Sequence, residues 1–280
     1  MTDDEKYLFD INGYIVVPNA LSPEEVALAN EAIDHHAGQI HEGADKPTLT
    51  EGSKALEGST TRGDLAGALT WEGAHGRPFR DMLTNPKVVP YLREVLGEGF
   101  RLDHDLGIVT MRKGAEGFAL HGGCSLPGFD RHQYYIFKDG QMHNGLTVAA
   151  YQLADVHEED GGLCLVPGSH KGNYRCPDSL RRFEQYREFV RPVPCKAGDC
   201  IIFTEAVVHG TLPWKAERDR RTALFRFSPG NLAYMPHAWS QEMLALMTDE
   251  QRKVLEPPYH LRLDRPILGS ASEELPNVDV

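Results

Sequence analysis

Cys200-Ile-Ile-Phe-Thr-Glu-Ala-Val-Val-His209, the loop Gly210–Asp219, and then Arg221-Thr-Ala-Leu-Phe-Arg-Phe227 form the stretch on which the fold turns. Two apolar runs rich in β-branched and aromatic residues, joined by a polar connection, read as strands. The same pattern extends back to residue 100, with strand-like runs at 100–112, 115–121, 146–155, 162–166, 188–193, 200–204 and 220–228. Lys113-Gly114, Asp139-Gly140, Asp160-Gly161-Gly162 and Ala197-Gly198-Asp199 punctuate them as turns. Short strands with no helices between them favour a sandwich or barrel over a parallel α/β sheet. The closed form expected is a double-sheet jelly roll.

Outside that core the pattern is mixed. Gly13-Tyr-Ile-Val-Val-Pro18 predicts a short strand. Ser22-Pro23-Glu24-Glu25 predicts a helix start, with serine as cap, proline in the first turn and Glu25 closing a capping box. Val26, Ala29 and Ile33 follow at helical spacing. Residues 38–78, rich in Gly, Thr, Ser, Ala and charge, read as a long surface excursion holding Trp71. A second helix is expected from Asn85-Pro86 to Leu96, stopped by Gly97, and further helices near 240–255. The expected organisation is a single domain over 1–280: an N-terminal helical part (1–99), a jelly-roll core (100–230) and a C-terminal extension (231–280). The fold class is mainly β with flanking α-helices.

Composition excludes several functions. Lys and Arg number 29 against 41 Asp and Glu, a net charge of −12, which disfavours a polymer-tracking nucleic-acid binder. A small-molecule substrate is the expected partner. No apolar run approaches the ~18 residues of a membrane span. Met1-Thr-Asp-Asp-Glu-Lys6 lacks the basic-then-apolar pattern of a signal peptide, and the five cysteines include no Cys-x-x-Cys, so a cytoplasmic location with reduced thiols is expected.

The chemistry is expected in the 13 histidines. Gly-x-Gly-x-x-Gly, Gly-x-Ser-x-Gly and phosphate-loop motifs are missing. Histidine on jelly-roll strands suits a mononuclear metal, and non-haem iron takes two histidines and one carboxylate. The literal match, His157-Glu158-Glu159 with His209, starts in the acidic turn Asp155–Gly162, where side chains are normally solvated. His121, ending Gly117-Phe-Ala-Leu-His121, is the better first ligand, and His209 ends a second strand-like run. Two residues after His121, Gly123 stands where a carboxylate is expected. Arg221 shares its face with Ala223, Phe225 and Phe227, and a guanidinium on an inward apolar face needs an anion.

Three stretches together resemble the phytanoyl-CoA dioxygenase-like family of iron(II)/2-oxoglutarate oxygenases, over most of residues 7–230. They are Phe9-Asp-Ile-Asn-Gly-Tyr-Ile-Val-Val-Pro18, Asp160-Gly-Gly-Leu-Cys-Leu-Val-Pro-Gly-Ser-His-Lys171, and Ala197-Gly-Asp199 with His209-Gly-Thr211 and Arg221-Thr-Ala-Leu224. The resemblance implies a cupin-like jelly roll (double-stranded β-helix) with Fe(II), 2-oxoglutarate and O2 as cofactors. It implies His121 and His209 as catalytic iron ligands. Arg221 would grip the far carboxylate of 2-oxoglutarate with Thr211 helping, and Asn144 is a further cosubstrate candidate. Lys171 is expected to be structural or rim-facing. The family's His-x-Asp is here His121-Gly122-Gly123. Halogenases of the superfamily carry Gly or Ala at this place, and a halide takes the ligand position. The leading expectation is therefore radical halogenation (chlorination) of an aliphatic C–H bond, with chloride beside Gly123. The alternatives are hydroxylation, with Asp105, Asp130 or water on the iron, and a non-catalytic jelly-roll binding protein. The aromatic segment Gly123–His143 and the 38–78 excursion are expected to cover the site.

Overall fold

Two helices near the N-terminus begin with the same reciprocal cap. Thr2 Oγ1 accepts the Glu5 amide at 3.2 Å while the Glu5 carboxylate takes the Thr2 amide at 2.7 Å, and Ser22 and Glu25 repeat the pattern at the same distances. The computed structural model describes residues 1–43, 49–123, 133–235 and 239–260. In chain order the first elements are α1 (Asp3–Asn12), β1 (Tyr14–Val17), α2 (Pro23–His35), β2 (His41–Glu42), β3 (Gly63–Ala66), α3 (Gly73–Met82) and α4 (Val89–Leu96). The strand-rich part holds β4 (Arg101–Met111), β5 (Phe118–His121), β6 (Tyr135–Lys138), β7 (Gln141–Asn144), β8 (Thr147–Gln152) and β9 (Gly162–Val166). It continues through α5 (Asp178–Arg181), β10 (Arg191–Pro192), β11 (Cys200–Thr204), β12 (Val208–Leu212) and β13 (Arg220–Ser228), and the chain then forms α6 (Gln241–Ala245) and α7 (Asp249–Val254).

The strands form the expected jelly roll. A seven-stranded sheet runs β1-β11-β8-β13-β4-β3-β2, a four-stranded sheet runs β10-β9-β12-β5, and β6-β7 is a separate hairpin. Strand alternation divides the larger sheet into two buried faces. Tyr151, Ile202, Phe225 and Phe227 pack against Ile33 and Phe79 of the helices. Val109, Val148, Ile201 and Phe203 face Leu163 and Leu165 of the smaller sheet. Both faces are therefore apolar, and β11 is buried at every position.

The first 99 residues are less helical than expected, because β1 joins one edge of the large sheet and β3 and β2 extend the other. Within the 38–78 stretch, residues 63–71 are not a surface excursion: Leu65, Ala68, Leu69 and Trp71 enter the helix-side core, and the Trp71 ring stacks on His36 at 3.8 Å. Its Gly- and Ser-rich composition hides this, since β3 is held by backbone pairing to β4 rather than by an alternating pattern. Lys171 is structural, pairing with Asp10 at 2.5 Å. Among the described residues no helix is long and apolar enough to cross a membrane.

The neighbouring His170 couples this packing to pH. Its Nε2 donates to Asp10 O at 2.9 Å, its Nδ1 has no partner, and burial pushes its pKa down to about 4. In the unfolded chain the same ring protonates near ~6.5. Between those values the unfolded state binds more protons, so stability falls as the pH drops, by up to about 1.4 kcal/mol per pH unit. Urea midpoints at about pH 7 and about pH 5 should show this fall, with part of it removed in His170→Gln.

Candidate metal and cosubstrate site

His121 closes β5 and His209 lies on β12, and the register places them directly opposite each other. Cross-strand partners share a face, and Leu165, the other neighbour of His209, shows that this face looks into the gap between the sheets. The two imidazole centroids are 4.2 Å apart. His209 Nδ1 lies 2.8 Å from Val207 O, and His121 Nδ1 lies 3.2 Å from Ala119 O. A carbonyl only accepts, so each Nδ1 carries a hydrogen, and Nε2 is the nitrogen that the neutral ring would offer a metal, which is how a metal-ligating histidine is held. Burial, followed by the neighbouring His209, pushes the His121 pKa down to about 3, so the ring stays neutral. Phe118 stacks on His121 at 4.5 Å and Phe203 lies 4.9 Å from His209, which restricts both rings.

A third donor comes from a residue the sequence reading passed over. Glu205 lies in the turn between β11 and β12 and is 6% exposed. Its Oε2 is 3.5 Å from His209 Nε2, and its Oε1 is 3.4 Å from Arg226 Nε. Donor atoms of His121, Glu205 and His209 all lie within 4.8 Å of one another. Two imidazoles and a carboxylate are the donor set that non-haem iron takes, so the residues present fit that metal. The signal in the sequence is slight: one acid in an otherwise apolar run, four residues before His209.

The inward arginine of β13 is Arg220 rather than the expected Arg221. Arg221 reaches outward to α2, with Nη2 2.6 Å from Asp34 Oδ1 and Nη1 3.2 Å from Asn30 Oδ1. Its face-mates Ala223, Phe225 and Phe227 belong to the helix-side core, so the apolar face it shares is not the one that looks into the jelly roll. A shift of one residue changes the face, and Arg220 is the inward residue. It is 4% exposed, its Nη1 lies 3.3 Å from Met111 Sδ, and its Nε has no partner. Among the described residues no carboxylate pairs with it, and burial pushes its pKa down to about 10. Thr211 shares the inward face of β12 with His209, beside Leu163.

Asn144 does not join this group. It is on β7, and its amide donates to Val95 O of α4 at 3.1 Å, which ties the β6-β7 hairpin to the helix. The inward strand it was expected to lead into begins three residues later, at Thr147. Asp105 accepts the Leu106 amide at 2.8 Å and is outside the donor cluster. His157 stays in its exposed turn with Asp160, which Arg218 also binds. Asp130 and Phe129 lie outside the described residues, as does most of the segment between Gly123 and Tyr134.

Fold and family define an iron(II)/2-oxoglutarate oxygenase-type enzyme, with Fe(II), 2-oxoglutarate and O2 as cofactors. The description Phytanoyl-CoA dioxygenase matches residues 9–222, and the chain belongs to that family. No curated protein matches it. Among solved structures it is similar to HygX from Streptomyces hygroscopicus with nickel and 2-oxoglutarate bound, at 21% identity and a TM-score of 0.67, over 93% of this chain and 97% of that one. It is also similar to the non-heme alpha ketoglutarate dependent epimerase SnoN from nogalamycin biosynthesis, at 20% identity, TM-score 0.60, and 86% and 87% coverage. The carbocyclase SnoK from the same biosynthesis is similar at 16% identity, TM-score 0.57, and 88% and 90% coverage. At these identities the likeness is one of fold.

Proposed function

We propose that this chain oxidises an unactivated C–H bond of a small molecule. His121 and His209 hold the iron(II), and Arg220, with Thr211 on the facing sheet, holds the far carboxylate of 2-oxoglutarate. The observation that carries the reading is the pairing of a half-buried and a buried imidazole, each with Nδ1 on a carbonyl, with an inward guanidinium that has no anion of its own among the described residues. When bound, iron(II) with 2-oxoglutarate and O2 supplies an oxidant able to break such a bond, coupled to release of CO2 and succinate. The chain's own work is placement. The backbone carbonyls fix the tautomer of each histidine, the Arg220 fork matches a carboxylate in two donors, and the apolar gap between the sheets excludes water.

Solved relatives in fold support the substrate class: one HygX structure holds hygromycin B and one SnoN structure holds nogalamycin RO. We infer a similarly elaborate small molecule here. The halogenation reading drawn from Gly123 needs the ligand position to be left for a halide. A carboxylate in the same pocket, 3.5 Å from His209 Nε2, favours oxygen-based oxidation instead. The test is succinate release from 2-oxoglutarate by the purified chain with Fe(II) in air. The expected result is turnover that needs iron and oxygen and is indifferent to chloride. Binding of 2-oxoglutarate with no succinate over many hours would leave a non-catalytic jelly-roll protein, and chloride-dependent turnover would return the halogenase.

A further inference from the structure

We infer that Glu205 replaces the aspartate missing from the His-x-Asp pattern. The metal's carboxylate has moved from two residues after the first histidine to four residues before the second, and Gly122-Gly123 is the other half of that exchange. The inference rests on the reading of His121 and His209 as metal ligands.

The two turns interlock. A Cβ at Gly122 would lie 2.5 Å from Val207 O and 2.7 Å from Glu205 O, and one at Gly123 would overlap Ala206 O. Both glycines have positive φ, +103° and +53°, where side chains are strained. Gly123 N donates to Glu205 O at 3.3 Å. Position 123 is thus shaped to take the backbone of the Glu205 turn, and an aspartate placed there would drive its Cβ into a carbonyl. The glycine is a consequence of bringing Glu205 in, rather than a place kept for a halide.

The turn itself is held on every side. Thr204 N donates to Gly13 O at 3.1 Å, Glu205 N to Leu146 O at 2.9 Å, and Val207 N to Thr204 O at 3.0 Å. Val208 N donates to Ser169 Oγ at 2.7 Å. A buried carboxylate is costly unless a cation faces it; Glu205 has Arg226 on Oε1, and its Oε2 points at His209 Nε2, where a bound metal ion would supply the second positive charge. Charge agrees with the assignment. Glu205 already contributes the single negative charge that a halide would otherwise bring.

The experiment is Co(II) binding to the full, metal-free chain, read by calorimetry and by the visible Co(II) absorption, with and without chloride. Wild type is expected to bind one Co(II) with a spectrum that chloride does not change. Glu205→Gln should weaken binding at least about tenfold, alter the absorption and make it chloride-sensitive. Gly123→Ala removes no donor atom, yet it should weaken Co(II) binding by displacing residues 205–207. Glu205→Asp, which keeps the charge but shortens the reach, should fall between wild type and Glu205→Gln, and circular dichroism confirms that each variant is folded. Wild-type affinity and spectrum in folded Glu205→Gln, or a chloride-sensitive wild type, would overturn the inference while His209→Ala still loses the metal. If His209→Ala also keeps the metal, the ligand reading beneath it fails instead.

Discussion

Arg220→Leu is expected to raise the 2-oxoglutarate concentration for half-maximal succinate release by roughly 30- to 4,000-fold, whereas Arg221→Leu leaves it within about threefold. The contrast follows from where two adjacent guanidiniums sit. Arg220 is buried, with one nitrogen without a partner and no carboxylate among the described residues. Truncating one member of a buried charge pair costs about 2–5 kcal/mol, and each 1.4 kcal/mol is about tenfold. Arg221 pairs with an Asp34 side chain that is 63% exposed, and such surface pairs contribute about 0–1 kcal/mol. The ligand-free protein supplies a second readout. A buried charge with no partner is a cost that leucine removes, so Arg220→Leu should melt no lower than wild type. Added 2-oxoglutarate should then raise the melting temperature of the metal-loaded wild type but not of Arg220→Leu. A large rise in KM for Arg221→Leu, with Arg220→Leu unchanged, would reverse the face assignment of β13.

His209→Ala should lower metal affinity by more than about 100-fold, beyond the 10–100-fold that second-sphere changes cost, and bring succinate release to background. The ring is fixed by Val207 O, faces His121 across the β12–β5 pair, and has Glu205 at 3.5 Å. An alanine there leaves a buried carboxylate with one fewer partner and the metal with one imidazole. His157→Ala is the contrasting variant. That ring is exposed and sits in a turn whose Asp160 is bound by Arg218, so metal affinity should stay at the wild-type value. Calorimetry with Co(II) on both variants checks the pair of expectations. Equal losses in both would place the metal in the acidic turn.

The jelly roll was legible because turn residues divide the second half of the chain into short β-rich runs, and the facing pair His121 and His209 could be picked out as candidates because each ends such a run. Their convergence needs only that β5 and β12 be neighbours, as the topology of the fold provides. Which arginine of β13 faces inward was not legible, for a physical reason. On a sheet covered by helices on one side and by a second sheet on the other, alternation between two apolar faces does not say which face is the inner one. The doublet Arg220-Arg221 presents one guanidinium to each. The part inferred for Glu205 was hidden because it depends on contact between two turns, at Gly123 and Glu205, 82 residues apart, and no local spacing rule carries that information. Asn144 failed similarly, since β6 and β7 form their own hairpin against α4 instead of leading into the gap between the sheets.

In the proposed site one metal sits between His121 and His209, with 2-oxoglutarate reaching from it to Arg220. A crystal structure of the chain grown without oxygen, with Fe(II) and 2-oxoglutarate, tests it most directly. The expected density has the metal bonded to both Nε2 atoms and to the Glu205 carboxylate, and a carboxylate of the cosubstrate on the Arg220 guanidinium. Metal bound elsewhere, or a cosubstrate carboxylate resting on Arg221 at the outer face of β13, would contradict it.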